Sequence, residues 1–215
     1  MCVHDSLLFT QDFGEGAGFY LNATTPGFSA HYNMRTYVSA ELPAVLAATV
    51  GAAVDASKSS VMGHSMGGHG ALTLYLRQDA PYRSCSAFAP IAHPSVVPWG
   101  VKAFTGYLGA LGSGETEADK AAVAAAWAEH DATALVASFP ARAGADKAKQ
   151  GVMIDQGLAD KFIDSQLKPQ DFLAAAEAAG VTVAYRGLEG YDHGYFFIAS
   201  VVEDHVRYHA RFLHA

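Results

Sequence analysis

The stretch Gly63-His64-Ser65-Met66-Gly67 constrains this chain more than any other. It is a G-x-S-x-G sequence set between two patterned segments. Residues 59–62 read as the end of a short buried strand, and residues 71–77 as the helix that follows. A serine so placed lies on a tight strand-to-helix turn, which presents its hydroxyl at the top of a sheet. The glycines suit such a turn, because a Cβ at 63 or 67 would crowd the neighbouring backbone and glycine tolerates strained dihedrals. The helix behind the turn aims its first N–H groups at any oxygen held near the serine. A plain glycine turn in a Gly-rich chain could carry the same five letters, so the rest of the chain has to decide.

The remaining pattern predicts an α/β fold. Strand-like runs at 84–89, 151–155 and 181–186 follow the first. Helical patterns occupy 35–49, 71–77, 115–129, 171–179 and 195–213. Pro43 predicts a kink or an offset start in the first of these. Gly180 stops the fourth. The last carries Phe197, Val201, His205, Tyr208 and Phe212 on one face. Strands alternating with helices imply a mostly parallel sheet covered on both sides, with active groups at the carboxyl ends of its strands. Residues 12–25 read as a surface loop and 91–109 as irregular chain. Residues 54–58 read as a turn and 109–126 as a surface insertion, while 1–11 show no pattern. With 215 residues, 51% hydrophobic and 16% charged, the expectation is one α/β domain over 1–215.

Charge and cysteine content exclude several function classes. A net charge of −7 without a Lys/Arg cluster argues against nucleic acid as a partner. Cys2 and Cys85 cannot build a disulfide framework, and no C-x-x-C or His/Asp cluster has zinc spacing, so no metal is expected. A reducing, cytoplasmic setting fits. The first residues resemble neither a signal peptide nor a transit peptide, and no apolar run would span a membrane.

Ser65 needs a base within hydrogen-bond reach and a third group to orient that base. In this fold class the chain order is Ser, then Asp or Glu, then His. His193, in Glu189-Gly190-Tyr191-Asp192-His193-Gly194, lies after the last strand and before the last helix, where the base belongs. His205, His209 and His214 fall on or at the end of the terminal helix and read as surface or packing residues. His64 and His69 flank the turn but point away from the Ser65 hydroxyl, and His4, His31, His93 and His130 lack the late-strand context. The acid stays open. Asp155 ends the third strand and reads as a turn or cap carboxylate. Asp160 lies on the loop beyond, from which it can turn towards His193, and Asp164 is a weaker third candidate.

Several stretches then point to a family. Gly63-His64-Ser65-Met66-Gly67-Gly68-His69-Gly70-Ala71-Leu72 resembles the nucleophile turn of S-formylglutathione hydrolases, the esterase D family. Residues 12–20 resemble that family's glycine loop and 37–43 its following helix. Residues 86–91, 98–109 and 189–193 agree as well, so the resemblance runs from about residue 12 to the C-terminus. It implies a cofactor-independent hydrolase that releases formate and glutathione from S-formylglutathione and often cleaves simple esters. It implies Ser65 as nucleophile, His193 as base and Asp160 as acid, because Asp160-Lys161-Phe162 matches the family's Asp-x-Phe. It also implies that Met66 offers one backbone N–H to the oxyanion hole, and that a homodimer can form.

The pattern departs from the family at two places. The family's early strands and the loop giving a second oxyanion N–H precede the matched region, and residues 1–11 do not resemble them. The expectation is therefore an N-terminally incomplete sheet. Residues 111–126 also exceed the family pattern. A general carboxylesterase of the same fold and a catalytically inactive homologue are the two competing readings.

Overall fold

Four parallel strands form one sheet in the computed structural model, which describes residues 13–14, 16–55, 57–77, 81–143 and 151–214. They are β1 (Ser59–His64), β2 (Tyr82–Phe88), β3 (Val152–Gly157) and β4 (Val183–Leu188), paired in the order β1-β2-β3-β4. The longer helices are α1 (Leu42–Val50), α2 (Met66–Leu76), α3 (Pro98–Leu108) and α4 (Glu117–Ala128). They continue with α5 (Ala132–Ala143), α6 (Pro169–Ala178) and α7 (Tyr195–Leu213).

Strand order equals chain order, and right-handed crossovers repeated in one direction put their helices on one face. Accordingly α2, α5 and α6 share a buried cluster with that face. Leu72, Tyr75 and Leu76 meet Val136, Phe139 and Phe172 over Cys85, Ala87, Val152 and Ile154. The last helix, α7, which crosses no further strand, packs on the opposite face against β1 and β2.

Side chains alternate along a strand, so the same strands present different chemistry to α7. Ser84 and Ser86 face His209, with Oγ atoms 2.8 Å from Nδ1 and 2.7 Å from Nε2. Ser60 Oγ lies 2.7 Å from Ser84 Oγ. On β3 the buried Asp155 accepts from Arg186 Nε at 2.7 Å, Arg186 Nη2 at 2.5 Å and His205 Nε2 at 3.1 Å. His205 also stacks on Phe88, with centroids 3.8 Å apart. Burial and then the neighbouring His205 push His209 down to about 4, so it sits between its serines as a neutral ring.

Several expectations need correction. Residues 98–108 are helical, not irregular. Pro98 starts α3 from the first turn, where its missing N–H costs nothing. Gly106 lies within the same helix because the Phe13 ring packs where its Cβ would be, at 2.3 Å. The α5 helix was not foreseen, and it tolerates Pro140 inside it. Residues 13–14 and 16–23 are not a surface loop, since Phe13, Phe19, Leu21 and Ala23 are buried. Asp155 is no turn or cap carboxylate but the centre of a buried ion-pair network. The fourth strand begins at Val183, two residues later than its β-branched run suggests.

The first helix departs from regularity where Pro43 predicts it. Met34–Thr36 passes through a π-turn, Tyr37–Glu41, into α1. Leu42 N–H reaches back to Tyr37 O, so the wider turn absorbs the proline's lost donor. The region foreseen as an insertion carries α4, whose start is fixed by a capping box between Thr116 and Asp119. The pattern-free residues 1–11 lie outside the described residues.

Asp155 gives this fold a testable dependence. Burial alone would raise its pKa, but the hydrogen bonds from His205 and Arg186 outweigh burial and hold it below the usual value. A depressed folded-state pKa stabilises fully above about pH 4 and loses that contribution as pH falls through the folded value. Asp155→Asn is expected to cost about 3 kcal/mol in urea unfolding at pH 7, because it leaves a buried imidazole without its anion. The difference from the parent should shrink as pH falls from about 4, the unfolded-state value, through the lower folded value at which the parent's carboxylate also protonates.

Candidate active site

The carboxyl ends of β1, β3 and β4 converge on one point. β1 ends at His64 and α2 begins at Met66, leaving Ser65 alone in the turn with φ +57° and ψ −117°. Such a conformation costs a non-glycine residue about 1–3 kcal/mol and survives only where surroundings enforce it. Ser65 N–H donates to Phe88 O at 2.9 Å, and Ser65 O accepts from His69 N at 2.9 Å and Ile91 N at 3.2 Å. The glycines permit the approach. A Cβ on Gly63 would lie 2.1 Å from Gly67 O, and one on Gly68 2.9 Å from Pro90.

Beyond β3 and β4 two loops brace each other. Leu158 N–H donates to Leu188 O and Ala159 N–H to Tyr191 O, both at 2.9 Å. Asp160 and His193 sit on these loops. His193 Nδ1–H donates to Asp160 Oδ2 at 2.5 Å, and Ser65 Oγ–H points to His193 Nε2 at 2.9 Å. An ionised carboxylate only accepts, so the proton on that imidazole belongs on Nδ1 and leaves Nε2 with its lone pair towards Ser65. Asp160 also accepts from Phe162 N–H at 2.8 Å and Gln156 Nε2 at 3.2 Å. Burial would raise its pKa, yet the bonds from His193, Phe162 and Gln156 together lower it. It therefore remains an anion through the neutral range.

Of the sequence candidates, the structure thus brings Ser65, His193 and Asp160 into one hydrogen-bonded chain, and places Met66 at the first position of α2. The N–H of that position has no acceptor inside the helix. Asp155 belongs to the network under α7, and Asp164 is exposed on the π-turn Ile163–Leu167. His64 packs its ring against His193, centroids 4.5 Å apart, and burial with the charge of His193 lowers it to about 4. It is neutral at working pH. His93 pairs with Asp171 at 2.8 Å. Among the described residues no three His, Cys, Asp or Glu side chains converge as a metal site. No described helix is long and apolar enough to cross a membrane.

Sequence reasoning missed the turn that faces α2. Leu21 N–H reaches Gly18 O at 3.4 Å, with Phe19 (φ +47°) and Tyr20 (φ +50°) between them. Turns with two positive φ values normally take Asn-Gly, so no local signal marks this one. The signal lies instead in Gly67-Gly68-His69-Gly70. His69 Nε2–H donates to Phe19 O at 3.0 Å, and the Tyr20 ring occupies the space of a Gly70 Cβ, 2.4 Å from Cγ. A cavity of about 250 Å³ lies beside this turn, with Met66, Tyr20, Tyr32, Met34 and Gly18 in its wall. Around His193, Phe162 packs in an edge contact at 5.2 Å and meets the Trp99 ring at a tilt, with centroids 4.9 Å apart.

The model of an esterase family, described as "Putative esterase", matches residues 4–208. S-formylglutathione hydrolases of Rattus norvegicus and Bos taurus are each 44% identical over 205 residues, 95% of this chain and 66% of theirs. The solved S-formylglutathione hydrolase of Agrobacterium tumefaciens superposes with a TM-score of 0.81 at 39% identity, covering 96% of this chain and 67% of that one. The chain belongs to the S-formylglutathione hydrolase family of esterases. It spans 66% of the length of the curated relatives that it matches.

The turn at Ser65 depends on the bare backbone at position 63. Gly63→Ala would press a Cβ into Gly67 O. It is expected to destabilise the protein by about 2–3 kcal/mol in thermal or urea unfolding.

Proposed function

We propose that this esterase-family chain hydrolyses S-formylglutathione to formate and glutathione, with Ser65 as nucleophile, His193 as general base and Asp160 as the acid that orients it. The observation that carries the reading is the unbroken chain from Ser65 Oγ through His193 to the buried carboxylate, with links of 2.9 and 2.5 Å. The names of the relatives at 44% and 39% identity supply the substrate.

The chemistry follows from the protonation states. His193 Nε2 takes the Ser65 proton while Oγ bonds to the thioester carbonyl carbon. The carbonyl oxygen becomes an oxyanion, for which the Met66 N–H at the N-terminus of α2 is a preorganised donor. Collapse expels the thiolate, which takes the proton from Nε2 and leaves as glutathione. Water then gives a proton to Nε2, attacks the formyl-serine ester and releases formate, restoring Ser65. Asp160 keeps the imidazole in the Nδ1–H tautomer and stabilises the imidazolium formed in each half-reaction. No cofactor or metal enters these steps.

The same proposal treats the chain as one catalytic domain acting in the cytoplasm, where a chain with only two cysteines suits a reducing setting. It includes no nucleic-acid or membrane partner, and sedimentation distinguishes a monomer from a homodimer.

The test is turnover of S-formylglutathione and of 4-nitrophenyl acetate by the purified chain. Ser65→Ala is expected to lose about 10³-fold or more of kcat, and Asp160→Asn on the order of 10³–10⁴-fold with KM little changed, because the wrong tautomer then faces Ser65. Turnover of the aryl ester alone would redirect the substrate to simple carboxylic esters. Turnover that persists in Ser65→Ala would remove Ser65 from the chemistry.

A further inference from the structure

The helix that carries Ser65 makes a second polar contact that the mechanism does not use. His69, one turn beyond Ser65, is fully buried, with its ring 5.5 Å from Phe19 and 6.2 Å from Phe104. Its Nε2–H is spent on Phe19 O at 3.0 Å, while Nδ1 has no hydrogen-bond partner among the described residues. A buried imidazole with one bond aimed at one carbonyl is a directional clamp, since apolar packing alone would be served by leucine at that place. What it clamps is unusual. Phe19 and Tyr20 both hold positive φ in the Gly18–Leu21 turn, a conformation that bulky residues avoid.

The neighbouring glycines belong to the same contact. Tyr20 seats its ring where a Gly70 Cβ would be, and its hydroxyl lies 3.6 Å from the place of a Gly67 Cβ. The turn is thus docked on the first two turns of α2. Across from it stands Met66, and the two sides share the 250 Å³ cavity. Rigid placement of such a wall matters because a displacement of about 1 Å in a substrate-positioning element can cost 10²-fold in rate.

We infer that His69 is a positioning residue: by holding Phe19 O it fixes the Phe19–Tyr20 turn as the wall of a substrate cavity beside Ser65 and registers that wall to the helix that carries the nucleophile. The inference rests on the hydrolase reading of Ser65. Burial pushes His69 down to about 4, so the clamp is a neutral donor and holds equally across the working pH range. Its effect falls on substrate placement and not on proton transfer, because no bond joins His69 to His193 or Asp160.

The test compares His69→Gln, whose amide donor can reach as far as Nε2, with His69→Leu, which fills the space without a donor. His69→Asn, polar but too short, serves where the leucine variant fails to fold. Two readouts separate the cavity from the triad. Steady-state kinetics with S-formylglutathione and 4-nitrophenyl acetate report the whole site, while the rate of Ser65 phosphonylation by a small alkyl fluorophosphonate, which loses fluoride to the attacking Oγ, reports the nucleophile. The expected result is kcat/KM within about 3-fold of the parent for the glutamine variant. The leucine and asparagine variants should lose about 10-fold or more, carried by KM, while phosphonylation stays within about 3-fold. A glutamine variant that falls as far as leucine would overturn the clamp, as would a loss equal in turnover and phosphonylation, or kinetics unchanged in all three. A parent protein that is not phosphonylated at all would instead sink the hydrolase reading, and this inference with it.

Discussion

The backbone crossing at Ser65, where β1 hands over to α2 with φ +57°, is the constraint on which the rest of the site depends. It is paid for by contacts on every side of it: Phe88 and Ile91 from the β2 end, Gly67 O against Gly63, and Pro90 against Gly68. These contacts also set where β1 and β2 end relative to one another. Ala89 N–H, bonded to Asp155 O at 2.8 Å, ties the same corner to β3. The strained residue therefore sits where three strand ends are already locked, which is how strain persists without spreading into the sheet.

From that corner two kinds of polar organisation diverge. At the strand ends, Ser65, His193 and Asp160 form a short hydrogen-bonded chain, with the imidazole at the margin of solvent and the carboxylate sealed behind it. Beneath α7, two groups, Asp155 with Arg186 and His205, and His209 with Ser84 and Ser86, make bonds that hold the helix in one register on the sheet. The strand-end chain and the first of these groups each contain an Asp–His pair, and both carboxylates are buried. They differ in what lies beyond the imidazole: a serine hydroxyl in the first, and the Phe88 ring in the second. Composition does not separate the two pairs. The third group does.

The Gly67-Gly68-His69-Gly70 segment shows how one short stretch serves several neighbours at once. Gly68 makes room for Pro90, Gly70 for Tyr20, and His69 reaches Phe19. The alternating strand–helix pattern, the nucleophile turn and the position of His193 were legible because each rests on local rules: periodicity, turn sterics and chain order. The acid was not legible from the residues alone, because Asp155 and Asp160 lie five positions apart at one strand end. The family's Asp-x-Phe favoured Asp160, and only the geometry shows which carboxylate His193 reaches. α3 was hidden for the opposite reason. Pro98, Gly100 and Gly106 read as breakers, yet Pro98 starts the helix and the glycines admit Pro94 and Phe13.

By itself the sequence determined an α/β chain with a parallel sheet, a serine on a tight turn and a histidine before the last helix. Those features follow from side-chain alternation and from backbone sterics within a few residues of each other. Tertiary structure alone decided that Asp155 supports α7 while Asp160 meets His193, that the Phe19–Tyr20 turn is buried against α2, and that the sheet face under α7 is polar. Each depends on groups between 31 and 125 residues apart in the chain meeting through space. No local preference encodes such meetings. They are fixed when buried donors and acceptors must find partners in a packed interior, where an unpaired polar group is costly.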